Sequence, residues 1–147
     1  MHTQENYPPV AVTPTPEAIP AWLNHYGYEE RYIALINATV VGHIQLVPSE
    51  EGEHGLTILT AELGLPANTH VKEVARLFTS LDYRHMGVGE TLLNHAVAKV
   101  ENTGGRATLC VNDSQTSAIN LYLRTGWVPI GTYTGAYTGE PVLGFLH

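Results

Sequence analysis

The stretch from Glu73 to Gly105 limits the fold more than any other part of the sequence. Val71 to Thr79 reads as a strand, and after a polar turn Gly87 to Glu101 places Leu92, Leu93, Ala96, Val97 and Val100 at the spacing of one helix face. Gly104-Gly105 terminates that helix and Arg106 to Val111 reads as the next strand. The first junction holds Arg84-His85-Met86-Gly87-Val88-Gly89. Unpaired amides at a helix start and the positive end of the helix dipole converge on such a point and attract an anion. Gly87 and Gly89 let the backbone approach a diphosphate closely, and Arg84 can add charge-assisted hydrogen bonds to its oxygens. Taken alone, the glycine pair is equally compatible with a tight turn that holds no ligand.

Elsewhere the chain alternates strands, helices and loops. Five of its nine prolines are Pro8, Pro9, Pro14, Pro16 and Pro20. This arm, 1–14, cannot be regular helix or central strand, whereas a short helix is expected from Thr15-Pro16-Glu17 to about His25, stopped by Gly27. Arg31 to Asn37 and Thr39 to Val47 read as an antiparallel hairpin turning at Asn37-Ala38. Ser49 to Gly55 is an acidic loop, and Leu56 to Thr69 reads as a loop with a short extra strand. Ser114 is the expected N-cap of a helix carrying Ala118, Ile119, Leu121 and Tyr122 and stopped by Gly126. Trp127 to His147 reads as a closing hairpin with a Gly-rich turn. This order implies a single α+β domain over 15–147, a mixed α/β layer with helices packed on a central sheet.

Composition narrows the function classes. With 44% hydrophobic residues in 147, the chain can bury one core. A net charge of -7 without a basic patch argues against nucleic acid and anionic membranes as partners. The single cysteine, Cys110, excludes an internal disulfide, and the eight histidines lack the paired spacing of a zinc site. Neither a secretory signal nor a membrane-spanning run is visible, so a metal-free cytoplasmic protein is expected.

The nucleotide motifs fail at the phosphate loop: a dinucleotide fingerprint wants glycine where Leu92 stands, and the Walker Gly-Lys-Ser/Thr is absent. What the loop resembles is the GNAT family of N-acetyltransferases, whose acetyl-CoA loop reads Arg or Gln, two residues, Gly, one residue, then Gly or Ala. Arg84, Gly87 and Gly89 satisfy it. Glu73-Val74-Ala75-Arg76-Leu77-Phe78-Thr79 before the loop and Leu92-Leu93 after it are also similar to that family. So is Ala118-Ile119-Asn120-Leu121-Tyr122-Leu123-Arg124-Thr125-Gly126-Trp127, the counterpart of a helix that usually ends in Gly-Phe. The resemblance spans roughly 28–135 and implies a GNAT-like acyl-CoA N-acyltransferase fold with a mostly antiparallel sheet. Relatives usually begin with a strand and a long helix, for which this chain offers only the proline-rich arm. Either the true start lies upstream, or another subunit covers the sheet edge, or the acceptor site is trimmed; because an exposed edge strand invites association, a homodimer or tighter assembly is expected.

The resemblance also implies the site. The diphosphate of acetyl-CoA would be held by Arg84, His85, Met86, Gly87, Val88, Gly89 and Glu90. Leu77, Phe78 and Thr79 would hold the pantetheine arm and polarise the thioester carbonyl, with Asn112 and Gln115 where relatives often carry an Asn. Glu73 matches the carboxylate that serves as base in some members, and burial could raise its pKa towards neutrality; the other reading is a solvated strand-end carboxylate. Tyr122 matches the tyrosine that protonates the departing thiolate, and a tyrosine stays protonated at working pH; the other reading is a core tyrosine. Cys110 invites an acyl-enzyme reading, but its neighbours in sequence are not cationic, and a buried structural thiol is expected. The activity implied is transfer of an acetyl group to a primary amine of a small molecule or peptide, by direct attack in a ternary complex. The alternatives are a non-catalytic acyl-CoA-binding module and a purely structural domain.

Overall fold

The computed structural model describes residues 30–48, 64–66, 69–134 and 139–147. The expected N-terminal arm and short helix, the acidic loop, most of the segment before Thr69 and the tip of the closing hairpin lie outside the described residues, as does the expected lack of a first strand and helix.

Among the described residues six strands form one sheet in the order β1-β2-β3-β4-β6-β5. The strands are β1 Arg31–Ile36, β2 Thr39–Pro48, β3 Val71–Thr79, β4 Arg106–Asn112, β5 Val128–Thr134 and β6 Pro141–Leu146. Two α-helices intervene, α1 Val88–Glu101 between β3 and β4, and α2 Thr116–Arg124 between β4 and β5. All pairings are antiparallel except β3 with β4, which run parallel. A parallel pair needs a crossover, and α1 supplies it.

The β1–β2 turn has two residues, with Ile36 paired to Thr39. Asn37 and Ala38 both carry positive φ, 49° and 62°, as a type I′ turn requires. Asparagine tolerates this conformation, whereas alanine enters it at a steric cost.

The periodicity of α1 is met: Val88, Leu92, Leu93, Ala96, Val97 and Val100 are all buried. They pack with Val41, Ile44 and Leu46 of β2, Val74 of β3 and Ala107, Leu109 and Val111 of β4 in one core, which also takes in Tyr122, Trp127 and Phe145. Gly42 seats the helix on β2. A Cβ at this position would stand 2.9 Å from both Leu92 Cδ1 and Val88 Cγ1.

Ser114 is not the N-cap of α2, contrary to expectation. Gln115 holds that position without a side-chain cap bond. Ser114 instead donates its N–H and its hydroxyl to Asn112 Oδ1, at 2.9 and 2.7 Å. An Asx-type turn has won the competition for the local donors.

Candidate functional site

The two ends of the parallel pair differ. At one end Arg106 N–H donates to the His70 carbonyl at 3.1 Å, and Gly105 lies so close that a Cβ would meet His70 at 2.5 to 2.9 Å. From there the strands pair through Val71–Arg106, Lys72–Ala107 and Glu73–Thr108, and no further. β3 continues to Thr79 and β4 to Asn112, so the edge of β3 from Val74 onward faces β4 without strand hydrogen bonds to it. The result is a wedge that opens towards the C-terminal ends of both strands.

A bulge accompanies the opening. Against β2, His43 pairs with Phe78 and Gln45 with Ala75, leaving Arg76 and Leu77 opposite Ile44 alone. Arg76 has φ 54°, in the left-handed region that costs a side-chain-bearing residue roughly 1–2 kcal/mol. Such an inserted residue bends its strand. Here it bends β3 where β4 is no longer bonded to it.

At the mouth of the wedge the chain makes a one-turn 3-10 helix over Leu81–Tyr83 and then enters α1. His85 and Gly87 are left-handed, with φ 61° and 80°, and Gly87 caps the helix without a side-chain bond. Thr91 N–H is the first to fold back, onto the Gly87 carbonyl at 3.0 Å. The amides of Val88, Gly89 and Glu90 therefore project from the helix start. A left-handed residue followed by helical ones turns consecutive N–H groups towards one concavity, an arrangement suited to anions. A Cβ on Gly89 would lie 3.6 Å from Thr79 Oγ1 and 3.7 Å from Leu121 Cδ2, so β3, α1 and α2 converge at this residue. Arg84 is half-buried beside the loop, and Met86 is exposed. Glu90 is drawn aside by Arg124 of α2, 3.6 Å away.

The sequence-derived candidates fall into two groups. Leu77, Phe78, Thr79, Arg84, His85, Met86, Gly87, Val88, Gly89 and Glu90 line the open edge and the helix start together. Glu73 and Tyr122 sit apart from each other. Tyr122 shares the core with Val74, and successive strand residues point to opposite faces, so Glu73 belongs to the other face. There it lies between Val47 and Thr108 in register. At 3% exposure Glu73 is not a solvated strand-end carboxylate, the second reading its position in sequence allows. Tyr122 is 7% exposed, with ring centroids 6.1 Å from Trp127 and 5.7 Å from Phe145. Asn112 spends its side chain on Ser114 and, at 3.5 Å, on Glu140, while Gln115 caps α2. Cys110 is half-buried rather than fully buried, one strand position past Leu109 and beyond the last β3–β4 pair.

Sequence reasoning missed His43. It is 7% exposed on β2, its Nδ1 lies 2.8 Å from the Arg76 carbonyl, and its ring stacks on Phe78 at 5.2 Å. Burial, with smaller contributions from the charges of Arg31 and Arg76, lowers its pKa, against the opposing effect of the hydrogen bond to Arg76. A histidine in the apolar run Val41-Gly42-His43-Ile44 was the only signal for it, and nothing local marks the bulge it faces. Among the described residues no group of His, Cys, Asp and Glu is placed to hold a metal ion, and no helix is long and apolar enough to cross a membrane.

The sequence profile described as the Acetyltransferase (GNAT) family matches residues 2–127. No curated protein matches the chain in sequence. Solved structures that resemble it include Arabidopsis thaliana NAA60 in complex with a bisubstrate analogue, at 16% identity and a TM-score of 0.66 over 87% of this chain and 80% of that one. Arabidopsis thaliana Naa50 in complex with the bisubstrate analogue CoA-Ac-MVNAL is 18% identical, with a TM-score of 0.62 over 80% of this chain and 71% of that one. A GNAT family acetyltransferase from Elizabethkingia anophelis with acetyl-CoA bound is 16% identical, with a TM-score of 0.62 over 99% of this chain and 93% of that one. At these identities the likeness is one of fold, and the mixed six-stranded sheet with its two helices is the GNAT acyl-CoA N-acyltransferase fold.

Proposed function

Because the chain belongs to the GNAT acetyltransferase family, we propose that it is an N-acetyltransferase carrying an acetyl group from acetyl-CoA to a primary amine of a small molecule or peptide. The observation that carries this reading is the wedge between β3 and β4 opening at the N-terminus of α1. An extended pantetheine arm can take the place of the missing strand along Leu77, Phe78 and Thr79, while the diphosphate lies on the amides of Val88, Gly89 and Glu90 with Arg84 beside it. The residues fit the ligand: Gly89 leaves unfilled the space a side chain would take between Thr79 and Leu121.

In this reading the amine attacks the thioester carbonyl in a ternary complex. A C–N bond forms, the C–S bond breaks, the amine loses a proton and the thiolate gains one. Tyr122 donates the latter from the α2 face. Glu73, directly or through water, accepts the former from the opposite face, and the wedge is where the two faces communicate. Bisubstrate analogues bound by the NAA60 and Naa50 proteins, one of them CoA-Ac-MVNAL, support a peptide amine as acceptor. Ile33 and Leu35, 53% and 57% exposed on β1, one of the two outer strands of the described sheet, support association into a homodimer; a clean monomer in size-exclusion chromatography counts against it.

The burial of Tyr122 among Trp127 and Phe145 favours one second reading, an acyl-CoA-binding module that does not turn over. A thiol-release assay across an amine panel, beside calorimetry with acetyl-CoA, separates the two. Tyr122→Phe keeps the ring packing and removes the proton, so transfer should fall by roughly 10²–10⁴ with the melting temperature held. Binding without turnover, unaltered in this variant, supports the module.

A further inference from the structure

We propose that His43 is a positioning residue: its imidazole clamps the Arg76 carbonyl and holds the β3 bulge in the shape that keeps the wedge open to the acyl group. The consequence for catalysis rests on the acetyltransferase reading above, whereas the clamp itself does not.

The bulge is costly to hold. Arg76 occupies the left-handed region without being glycine, and strained backbone persists only where its surroundings over-determine it. Pairing to β2 is irregular here, because Arg76 and Leu77 share one opposing residue. A side chain from β2 meets the bulge directly. A carbonyl only accepts, so His43 donates from Nδ1–H across 2.8 Å, which fixes the tautomer with an unprotonated Nε2. The ring cannot swing away, since it is stacked on Phe78 two residues beyond Arg76 and buried. One imidazole thus touches both sides of the bulge. Burial, reinforced by the charges of Arg31 and Arg76 and opposed by the bond to Arg76, lowers its pKa, which suits a donor that needs no charge. The bulge in turn lies beyond Glu73, the last β3 residue paired to β4, on the edge where the acyl group would lie.

The test compares His43→Leu, which removes the donor, with His43→Asn, whose side-chain amide can reproduce it; both lose the ring. Amide hydrogen exchange is followed by mass spectrometry, and thiol release is followed with acetyl-CoA and an amine panel. In His43→Leu, exchange should rise about tenfold over 76–79 and stay unchanged over 92–100, with kcat/KM lowered by about tenfold, the scale of stranding one buried carbonyl. CoA affinity, set at the helix start, should hold within about twofold, and His43→Asn should recover most of both losses. Unchanged exchange over 76–79, or equal losses in the two variants, overturns the clamp. Raised exchange with undiminished kcat/KM overturns the positioning role. If the wild-type protein releases no thiol with any amine, the acetyltransferase reading fails, and the exchange data still decide the clamp.

Discussion

Replacing Gly89 by alanine separates a glycine kept for a ligand from one kept for the fold. Its φ is not in the left-handed region, and the new methyl would sit at ordinary contact distances, 3.6 Å from Thr79 Oγ1 and 3.7 Å from Leu121 Cδ2. Folding therefore gains from the change: glycine within a helix costs about 0.5–1 kcal/mol relative to alanine, with the smaller figure apt for a first turn. Under the proposed function binding should lose, because the methyl adds bulk beside the helix-start amides, where β3, α1 and α2 converge, and hinders a diphosphate from closing on them. Loss of one charge-assisted hydrogen bond, about 1.5–3 kcal/mol, weakens the dissociation constant for acetyl-CoA by about 10- to 150-fold. The two effects have opposite signs, and few structural explanations produce that combination. Calorimetric titration with acetyl-CoA beside thermal melting of the ligand-free protein reads both. Unchanged affinity, or a lowered melting temperature with affinity intact, would refute the assignment of the helix start as the diphosphate site.

Three further outcomes are expected. Ala38→Gly should relieve the left-handed alanine of the β1–β2 turn and, after the entropy that glycine costs, stabilise by about 0.5–1 kcal/mol; a raised urea midpoint at constant slope checks it. Gly42→Ala should destabilise by about 1–3 kcal/mol through overpacking, because its Cβ would stand 2.9 Å from two α1 side chains; the same urea titration reads this. The lowered pKa of His43, caused first by burial and then opposed by its bond to Arg76 and reinforced by the charges of Arg31 and Arg76, makes stability depend on pH. The unfolded chain takes up the proton first as pH falls below 6.5, so the contribution is present above that pH and lost through the folded pKa below it. The stability advantage of the wild type over His43→Asn should accordingly shrink between about pH 7 and about pH 5 in parallel melts.

Much of the scaffold is legible locally, and the failures share one cause. The face of α1 follows from a 3.6-residue period, and the Asn37-Ala38 turn from two apolar runs separated by two residues. The helix start follows from glycines placed after a strand. These features are set by neighbours in sequence. The cap of α2 was missed because Asn112, two residues before Ser114, captures both its donors. The burial of Glu73 depends on register with Val47 and Thr108, residues 26 and 35 positions away in sequence. The bulge at Arg76 and its partner His43 are joined across 33 positions, and neither residue type announces such a role.

Why the open strand edge and the helix start occur together follows from the connection between the parallel strands. A crossover helix must begin at the C-terminal end of its first strand, so its positive end necessarily faces the region beyond the strand ends. In most parallel pairs that region is closed along the strands by hydrogen bonds. Here the pairing lasts three residues, and beyond it β3 is bent by an extra residue opposite β2. The same strand thus pairs on both sides over its N-terminal part, pinned at His70 and Gly105, and over its C-terminal part pairs with β2 while its other edge diverges from β4. A guest that completes the edge must be extended, must offer backbone-like donors and acceptors, and must end in an anion at the helix. These three demands describe a pantetheine diphosphate more closely than a compact nucleotide. Under the proposed function, the transferable end of that guest would lie at the bulge, between a buried tyrosine on one face and a buried carboxylate on the other.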